Sequence, residues 1–372
     1  MGTASNANVR LRVGFDVTPT IGRTTGVGGF TADLLEVLRT RAAIELVPYA
    51  VTWRGRRAAG AQRLPMPARG LRSAWLRGDH PVIERFTGRV DVVHGTNFVV
   101  PPTSYAAALA SVHDLTVVRF PKLCTADTLQ YPALVRRAVQ RGAHIHTDSR
   151  FVAAEVADWL RLNTDRIHVV APGVAPLPPS SGPAPFGGRP YVLALGTVEP
   201  RKDLPSLVSA FAALGSRHPE QLLVLAGPDG WGSDDLARAI ASQPPLIRTR
   251  IIRRGWVDVA TRATLLRGAS VFAYPSLYEG FGFPPLEAMQ AGVPVVATNA
   301  GSLPEVLADA AVLVDPGDPI ALAAAIDRLL SNPCDAVDLA ARGRKLVEAM
   351  TWDASGDAML AAYRSVVARR PS

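Results

Sequence analysis

The sequence predicts an α/β protein made of two doubly wound, parallel-sheet domains. Short apolar runs of strand length alternate with helical periods along the chain. The alternation stops once, at the Pro/Gly/Ser-dense run 175–190, APLPPSSGPAPFGGRP, and then starts afresh. Glycines recur at strand-to-helix junctions, where open α/β sheets hold ligands.

Val9 to Phe15 alternates apolar and polar residues and reads as the first strand. The segment Gly26-Val27-Gly28-Gly29-Phe30 then reads as a loop, followed by a helix over Thr31–Arg41 with Leu34, Leu35 and Leu38 on one face. Backbone without Cβ can approach a phosphate oxygen, which makes Gly28 and Gly29 candidates for that task. They do not fit a G-x-G-x-x-G spacing, because Thr31 stands where the third glycine belongs. Glu45, the acidic residue roughly 20 residues on, opens the next strand instead of ending it. A nicotinamide-dinucleotide site is therefore disfavoured.

Ile44–Val51, Val90–His94, Ala107–Val112, Ala143–Thr147 and Ile167–Ala171 read as the further strands of the first half. Ser149 is an N-cap candidate for a helix over Arg150–Arg161. His113-Asp114 follows a strand, where a ligand would sit; the plain alternative is a histidine hydrogen-bonded to Asp114. His144, His146 and His168 read as structural.

After the linker the strand Tyr191–Leu195 leads into Gly196-Thr197-Val198-Glu199-Pro200-Arg201-Lys202-Asp203 and a helix over Leu204–Leu214. Adjacent Arg201 and Lys202 in such a loop can clamp a diphosphate; alternatively they are solvated, with Asp203 capping the helix. Leu222–Ala226, Arg250–Arg253, Val271–Tyr274, Val293–Val296 and Val312–Val314 read as strands, and Pro319–Leu330, Asp335–Met350 and Trp352–Val367 as helices. The densest chemistry lies in 276–298, SLYEGFGFPPLEAMQAGVPVVAT, read as glycine loop, helix over Leu286–Gln290, and strand. Glu279 and Glu287 stand there with seven residues between them. Each carboxylate can accept from a vicinal diol, and the intervening backbone amides at a helix N-terminus suit an anion. Diol, anion, diol outlines a sugar nucleotide. Gly301-Ser302-Leu303-Pro304-Glu305-Val306 reads as a helix cap.

A length of 372 residues with 48% hydrophobic and 19% charged residues suits two globular domains and excludes a disordered chain. Cys124 and Cys334, far apart, give neither a disulfide framework nor a zinc site, so a reducing, cytoplasmic setting is expected. The N-terminus lacks a signal-peptide core, and no apolar stretch approaches the roughly 18 residues of a membrane span. The net charge of +8 concentrates between Trp53 and Arg89, where nine arginines face Asp79 and Glu84. Trp53, Leu64, Met66, Leu71, Trp75, Leu76 and Phe86 interleave with them. This pattern suits an anionic membrane face or a phosphate-bearing acceptor, or a merely solvated surface. No nucleic-acid-binding motif appears.

The Glu279/Glu287 segment, the string EPRK at 199–202 and SVHDLTVVRFP at 111–121 together resemble the retaining GT-B glycosyltransferases of family GT4. The resemblance spans most of the chain and is most specific from Tyr191 to Asp318. It implies two Rossmann-like domains facing each other across a cleft: 1–174 for the acceptor, a linker 175–190, 191–351 for the donor, and a helix in 352–372 crossing back. It implies that His113 closes over the donor hexose, that Glu279 contacts the hexose and Glu287 the ribose, and that Lys202, with Arg201, contacts the diphosphate. Gly28 and Gly29 would approach donor phosphate and acceptor. Amides at Phe281, Gly282 and Phe283 would face hexose and diphosphate, and the Val257 backbone would hold the base. Thr197 stands where some branches carry an arginine, and Asp203 where asparagine is usual. The implied reaction moves a hexose from a nucleotide diphosphate sugar to an acceptor hydroxyl with retention, and the mannosyltransferase-like motifs imply GDP-mannose. No two aspartates stand two apart, so a D-x-D metal site is absent and no cofactor is expected. The expected acceptor is a carbohydrate or lipid-linked precursor of the cell envelope, with a peripheral contact at the inner membrane face through Trp53–Arg89. Three alternatives stand beside this: a UDP-sugar-dependent transferase, a non-hydrolysing sugar-nucleotide epimerase and a non-catalytic nucleotide-sugar-binding protein.

Overall fold

The computed structural model of the chain describes residues 10–22, 26–52, 60–179 and 184–369. It separates into two compact units, one running to Gly173 and resuming at Thr351, the other covering Val174–Met350.

The first unit holds a parallel sheet of β1 (Leu11–Asp16), β2 (Ile44–Ala50), β3 (Gln62–Arg63), β4 (Val92–Gly95), β5 (Ala107–Ser111), β6 (His144–Thr147) and β7 (Ile167–Val169). Their order is β3-β2-β1-β4-β5-β6-β7. Helices cover both faces, so the central strands are apolar on both sides: Val13, Phe15, Val92, Val93, Leu109 and Ile145 are fully buried. The strand order reverses between β1 and β4, which opens a crevice at their C-terminal ends.

The glycine segment is not a loop. Gly26–Arg39 is one helix, so Gly28 and Gly29 lie in its first turns, Gly28 buried. Each glycine costs about 1 kcal/mol of helix propensity relative to alanine. The buried face Phe30, Leu34, Val37 and Leu38 outweighs that cost. Helices Ala68–Arg77, Tyr131–Gln140, Ser233–Ala241 and Val259–Gly268 fill stretches to which the sequence analysis assigns no element. The first of these corrects the amphipathic-surface reading of the arginine-rich segment. Leu71 and Trp75, one turn apart, are buried in the core together with Leu64, while Arg69 points to solvent. Trp53, Arg54, Arg56 and Arg57 lie outside the described residues.

The helix Trp352–Ala368 belongs to the first unit and packs on the helix Gly26–Arg39 and on β4 and β5. Trp352 leans on Phe30, and Arg41 bridges Asp353 and Asp357 at 3.0 and 2.8 Å. Tyr363 starts a buried hydrogen-bond chain: its hydroxyl meets His94 Nδ1 (2.7 Å), His94 Nε2 meets Ser111 Oγ (2.8 Å), and Ser111 Oγ meets His146 Nδ1 (2.8 Å). The chain ends with His146 Nε2 on the Val170 carbonyl at 3.2 Å. A carbonyl only accepts, so Nε2 of His146 carries the proton, and the direction of every earlier bond follows back to a donating Tyr363. Burial keeps both imidazoles neutral, pushing His94 well below the ordinary value and His146 down to about 4. Tyr363→Phe leaves the His94 acceptor unpaired and is expected to cost about 1–3 kcal/mol in a denaturant titration. A variant as stable as the parent would show that the helix does not anchor this chain.

The second unit holds β8 (Tyr191–Leu195), β9 (Leu222–Ala226), β10 (Ile251–Gly255), β11 (Val271–Tyr274), β12 (Val295–Thr298) and β13 (Val312–Val314). They run parallel in the order β10-β9-β8-β11-β12-β13, with the reversal between β8 and β11. β12 begins later than the sequence predicts. The Val293 N–H closes the preceding helix on the Ala288 carbonyl, and Pro294 has no N–H to give. That helix, Phe283–Gln290, begins earlier than predicted, with Pro284 and Pro285 in its first turn.

Candidate active site

The loops after β8 and β11 flank the crevice of the second unit. After β8 a 3₁₀ turn, Pro200–Lys202, swings Arg201 and Lys202 inward. Asp203 then enters the helix Leu204–Leu214 in left-handed backbone, φ 44°. Aspartate tolerates this region better than most residues, so Asp203 meets a backbone demand there.

After β11 the chain delivers Glu279 between the two cations. Lys202 Nζ donates to Glu279 Oε1 at 2.5 Å and to the Tyr274 hydroxyl at 2.6 Å, and lies 4.7 Å from the centre of the Tyr274 ring. Arg201 Nη1 meets Glu279 Oε2 at 2.9 Å, while its Nε donates to Glu199 Oε2 at 3.0 Å. Burial alone would raise the Glu279 carboxyl; the Lys202 and Arg201 charges overcome it and hold the group down at about 2. Burial lowers the Lys202 ammonium against the pull of Glu279. The cluster is thus a carboxylate between two cations. Lys202 has three donors, so one N–H direction remains for an anion in the crevice. Leu195, Gly196, Lys202, Gly227, Arg253 and Tyr274 are among the residues lining it.

Glycine is required where these loops touch. A Cβ on Gly301, which has φ 59°, would lie 2.4 Å from the Glu279 carbonyl. The following Ser302 donates its N–H to that carbonyl at 3.0 Å and its hydroxyl to the Phe281 carbonyl at 3.2 Å. The expected capping role is therefore corrected: Ser302 stands before the helix Leu303–Leu307, yet its hydroxyl makes no cap. It braces the Glu279 loop from behind. Gly301→Ala is expected to cost about 1–3 kcal/mol in backbone strain. By displacing Glu279 it should lower turnover on the order of 10²-fold. A normal melting temperature with normal turnover would refute the brace.

Phe281 is buried against Phe283, and Gly282, at φ 102°, turns the chain into the helix Phe283–Gln290. Glu287 lies on that helix with its own counter-cation, Arg262, from the helix Val259–Gly268. Burial raises the Glu287 carboxyl and Arg262 opposes it. Thr197 sits in the loop after β8, and Val257 follows β10, two places away, at the same C-terminal end of the parallel strands.

In the first unit His113 follows β5 and is buried. Its Nδ1 meets Asp148 Oδ2 at 2.7 Å and its Nε2 the Thr96 carbonyl at 2.8 Å. The expected alternative partner, Asp114, instead accepts the Thr116 N–H at 2.8 Å. Asp148 escapes a linear reading. Its signal is the strand register, because β5 pairs β6 with Ser111 opposite His146, which carries His113 to Asp148. Gly28, Gly29 and His113 thus belong to the first unit, and the other candidates to the second. Among the described residues no group of three or more His, Cys, Asp or Glu could hold a metal ion.

Residues 181–346 match the family model described as glycosyl transferases group 1. The chain is 30% identical over 293 residues to the O-antigen chain mannosyltransferase B of Escherichia coli, covering 73% of this chain and 74% of that protein. The chain belongs to the group 1 glycosyl transferases. It is also 30% identical over 319 residues to a D-inositol 3-phosphate glycosyltransferase of Xylanimonas cellulosilytica, covering 77% of this chain and 75% of that protein. Sucrose-phosphate synthase from Thermosynechococcus elongatus superposes with a TM-score of 0.74 at 21% identity, over 97% of this chain and 100% of that one. The two parallel-sheet, Rossmann-like units match GT-B glycosyltransferase structures, and the expected hexosyltransferase class fits the chain's group 1 membership.

Proposed function

We propose that this group 1 glycosyltransferase moves mannose from GDP-mannose to an acceptor hydroxyl with retention and without a metal ion. The observation that carries the reading is the buried Lys202–Glu279–Arg201 cluster at the switch point of the second sheet. Departure of the nucleoside diphosphate is the hard step. Lys202, Arg201 and the amides of Phe281, Gly282 and Phe283 are suited to take up its developing charge. Glu279 would accept hydrogen bonds from the hexose and Glu287 from the ribose. With no D-x-D pair in the sequence, cations and helix amides do the work of a divalent ion. The acceptor attacks on the face that the diphosphate leaves. The Escherichia coli relative, named a mannosyltransferase, favours mannose.

The test is a metal-free calorimetric titration against GDP, UDP, ADP and dTDP and their hexose conjugates. Tight binding of GDP, with GDP-mannose competing, is the expected result. Preference for UDP would replace the donor, and no binding by any would favour a non-catalytic module. The acceptor we propose is a carbohydrate or lipid-linked envelope precursor. A relative named for an inositol phosphate makes an anionic acceptor the variant to include. Any peripheral membrane contact rests on exposed arginines such as Arg69, not on Trp75. Flotation with anionic liposomes tests it, and no attachment in low salt would end that idea.

A further inference from the structure

Both ring nitrogens of His113 are engaged, and their partners dictate where the protons are. The Thr96 carbonyl can only accept, so Nε2 carries a hydrogen. The partner of Nδ1 is the carboxylate of Asp148, 3% exposed, which also accepts. A ring donating from both nitrogens is an imidazolium. Among the described residues the other titratable groups around it are Asp114 beside it in the chain, His146 with its ring centre 6.5 Å away, and His94 beyond. Phe30 closes the remaining side edge-on at 4.9 Å. His146 and His94 are committed as neutral rings to the chain that ends at Val170, so neither competes as a second cation. Asp148 Oδ1 has no hydrogen-bond partner among the described residues and lies 3.7 Å from His146 Nε2, which donates to Val170 instead. Among the described residues, His113 is the one group hydrogen-bonded as an ion pair to the buried Asp148 carboxylate.

We propose that Asp148 is a positioning residue for the transfer reaction: it holds His113 as a two-sided hydrogen-bond donor that presents N–H, never a lone pair, to the donor sugar. This rests on the reading that His113 faces the hexose. It deepens that reading by excluding a role for His113 as general base. On that reading, a hexose hydroxyl oxygen would take over from the Thr96 carbonyl as the acceptor of the Nε2–H bond. The acceptor substrate's proton must then go to another oxygen, and the leaving diphosphate supplies one. Burial lowers the affinity of His113 for its proton, but the Asp148 charge and hydrogen bond more than compensate, so the ring titrates above its ordinary 6.5.

Asp148→Asn preserves shape and still accepts from Nδ1, but removes the charge. Two readouts on the full chain test the proposal: ring ¹⁵N shifts of His113 against pH without substrate, and kcat/KM for sugar transfer against pH. In the parent, kcat/KM should fall on the alkaline side together with His113 deprotonation. In Asp148→Asn both the ring titration and that limb should move about one unit or more to lower pH, a roughly tenfold loss of kcat/KM on the alkaline side. Asp114→Asn, the neighbouring carboxylate, should move the titration less. An unmoved ring titration in Asp148→Asn would overturn the proposal, as would a moved titration with an unmoved limb. If no nucleotide sugar is turned over, the functional reading fails by itself, and the ring titration still decides whether Asp148 keeps His113 protonated.

Discussion

Glu279→Gln is expected to lower kcat for sugar transfer on the order of 10²–10³-fold, the scale seen when one preorganised polar group is removed from a reacting centre. Nucleoside diphosphate affinity should stay at the parent's value or tighten. The reason lies in the cluster itself. Glu279 holds both cations with bonds of 2.5 and 2.9 Å, so its charge offsets part of the attraction that Lys202 and Arg201 have for an incoming diphosphate. The neutral amide yields them more readily but accepts less well from hexose hydroxyls. Steady-state transfer and calorimetry with GDP separate the two effects, and unchanged turnover would remove Glu279 from the site. The folded carboxyl sits at about 2 against an ordinary 4.5. Its ion pairs therefore contribute stability in full above about pH 4.5, and that contribution is lost as pH falls towards 2. Transfer rates between pH 5 and 9 should show no limb from this group.

Lys202→Ala should weaken nucleoside diphosphate binding by about 2–3 kcal/mol, roughly 30- to 150-fold, the cost of removing one partner of a buried charge contact. The substitution also strips the Tyr274 hydroxyl of its donor and leaves Glu279 to Arg201 alone. Some loss of melting temperature should accompany it. A nucleoside monophosphate should be affected less than the diphosphate, because it brings less charge to the loop. Equal diphosphate affinity in variant and parent would refute the phosphate role of Lys202.

What the sequence discloses depends on whether a signal is local. The parallel strands are visible because each is a short apolar run, and the EPRK loop and Glu279 because their chemistry is concentrated within a few residues. The helix start at Gly26 is hidden because packing by Phe30 and Leu34 overrides what Gly28 and Gly29 prefer on their own. Trp75 reads as a surface residue among arginines, but the helix period that buries it shows only once Leu71, one turn earlier, is weighed with it. Partners across strands are the least legible. Asp148 for His113, Arg262 for Glu287 and Ser302 behind Glu279 are set by strand register, helix packing and loop packing in turn, at separations of 35, 25 and 23 residues. Asp114, adjacent in the chain, looks like the partner of His113 and serves a turn instead.

The helix Trp352–Ala368 gives the first unit a core completed by residues that follow the whole second unit in the chain. During synthesis the second unit, 174–350, is continuous and can close as soon as it emerges. The first unit has its whole sheet outside the ribosome by then, yet the hydroxyl that donates to buried His94 is still unmade. The unit whose sheet comes earlier in the sequence therefore finishes folding second. Premature termination near residue 350 should spare the later half and leave the earlier one to chaperones and proteases.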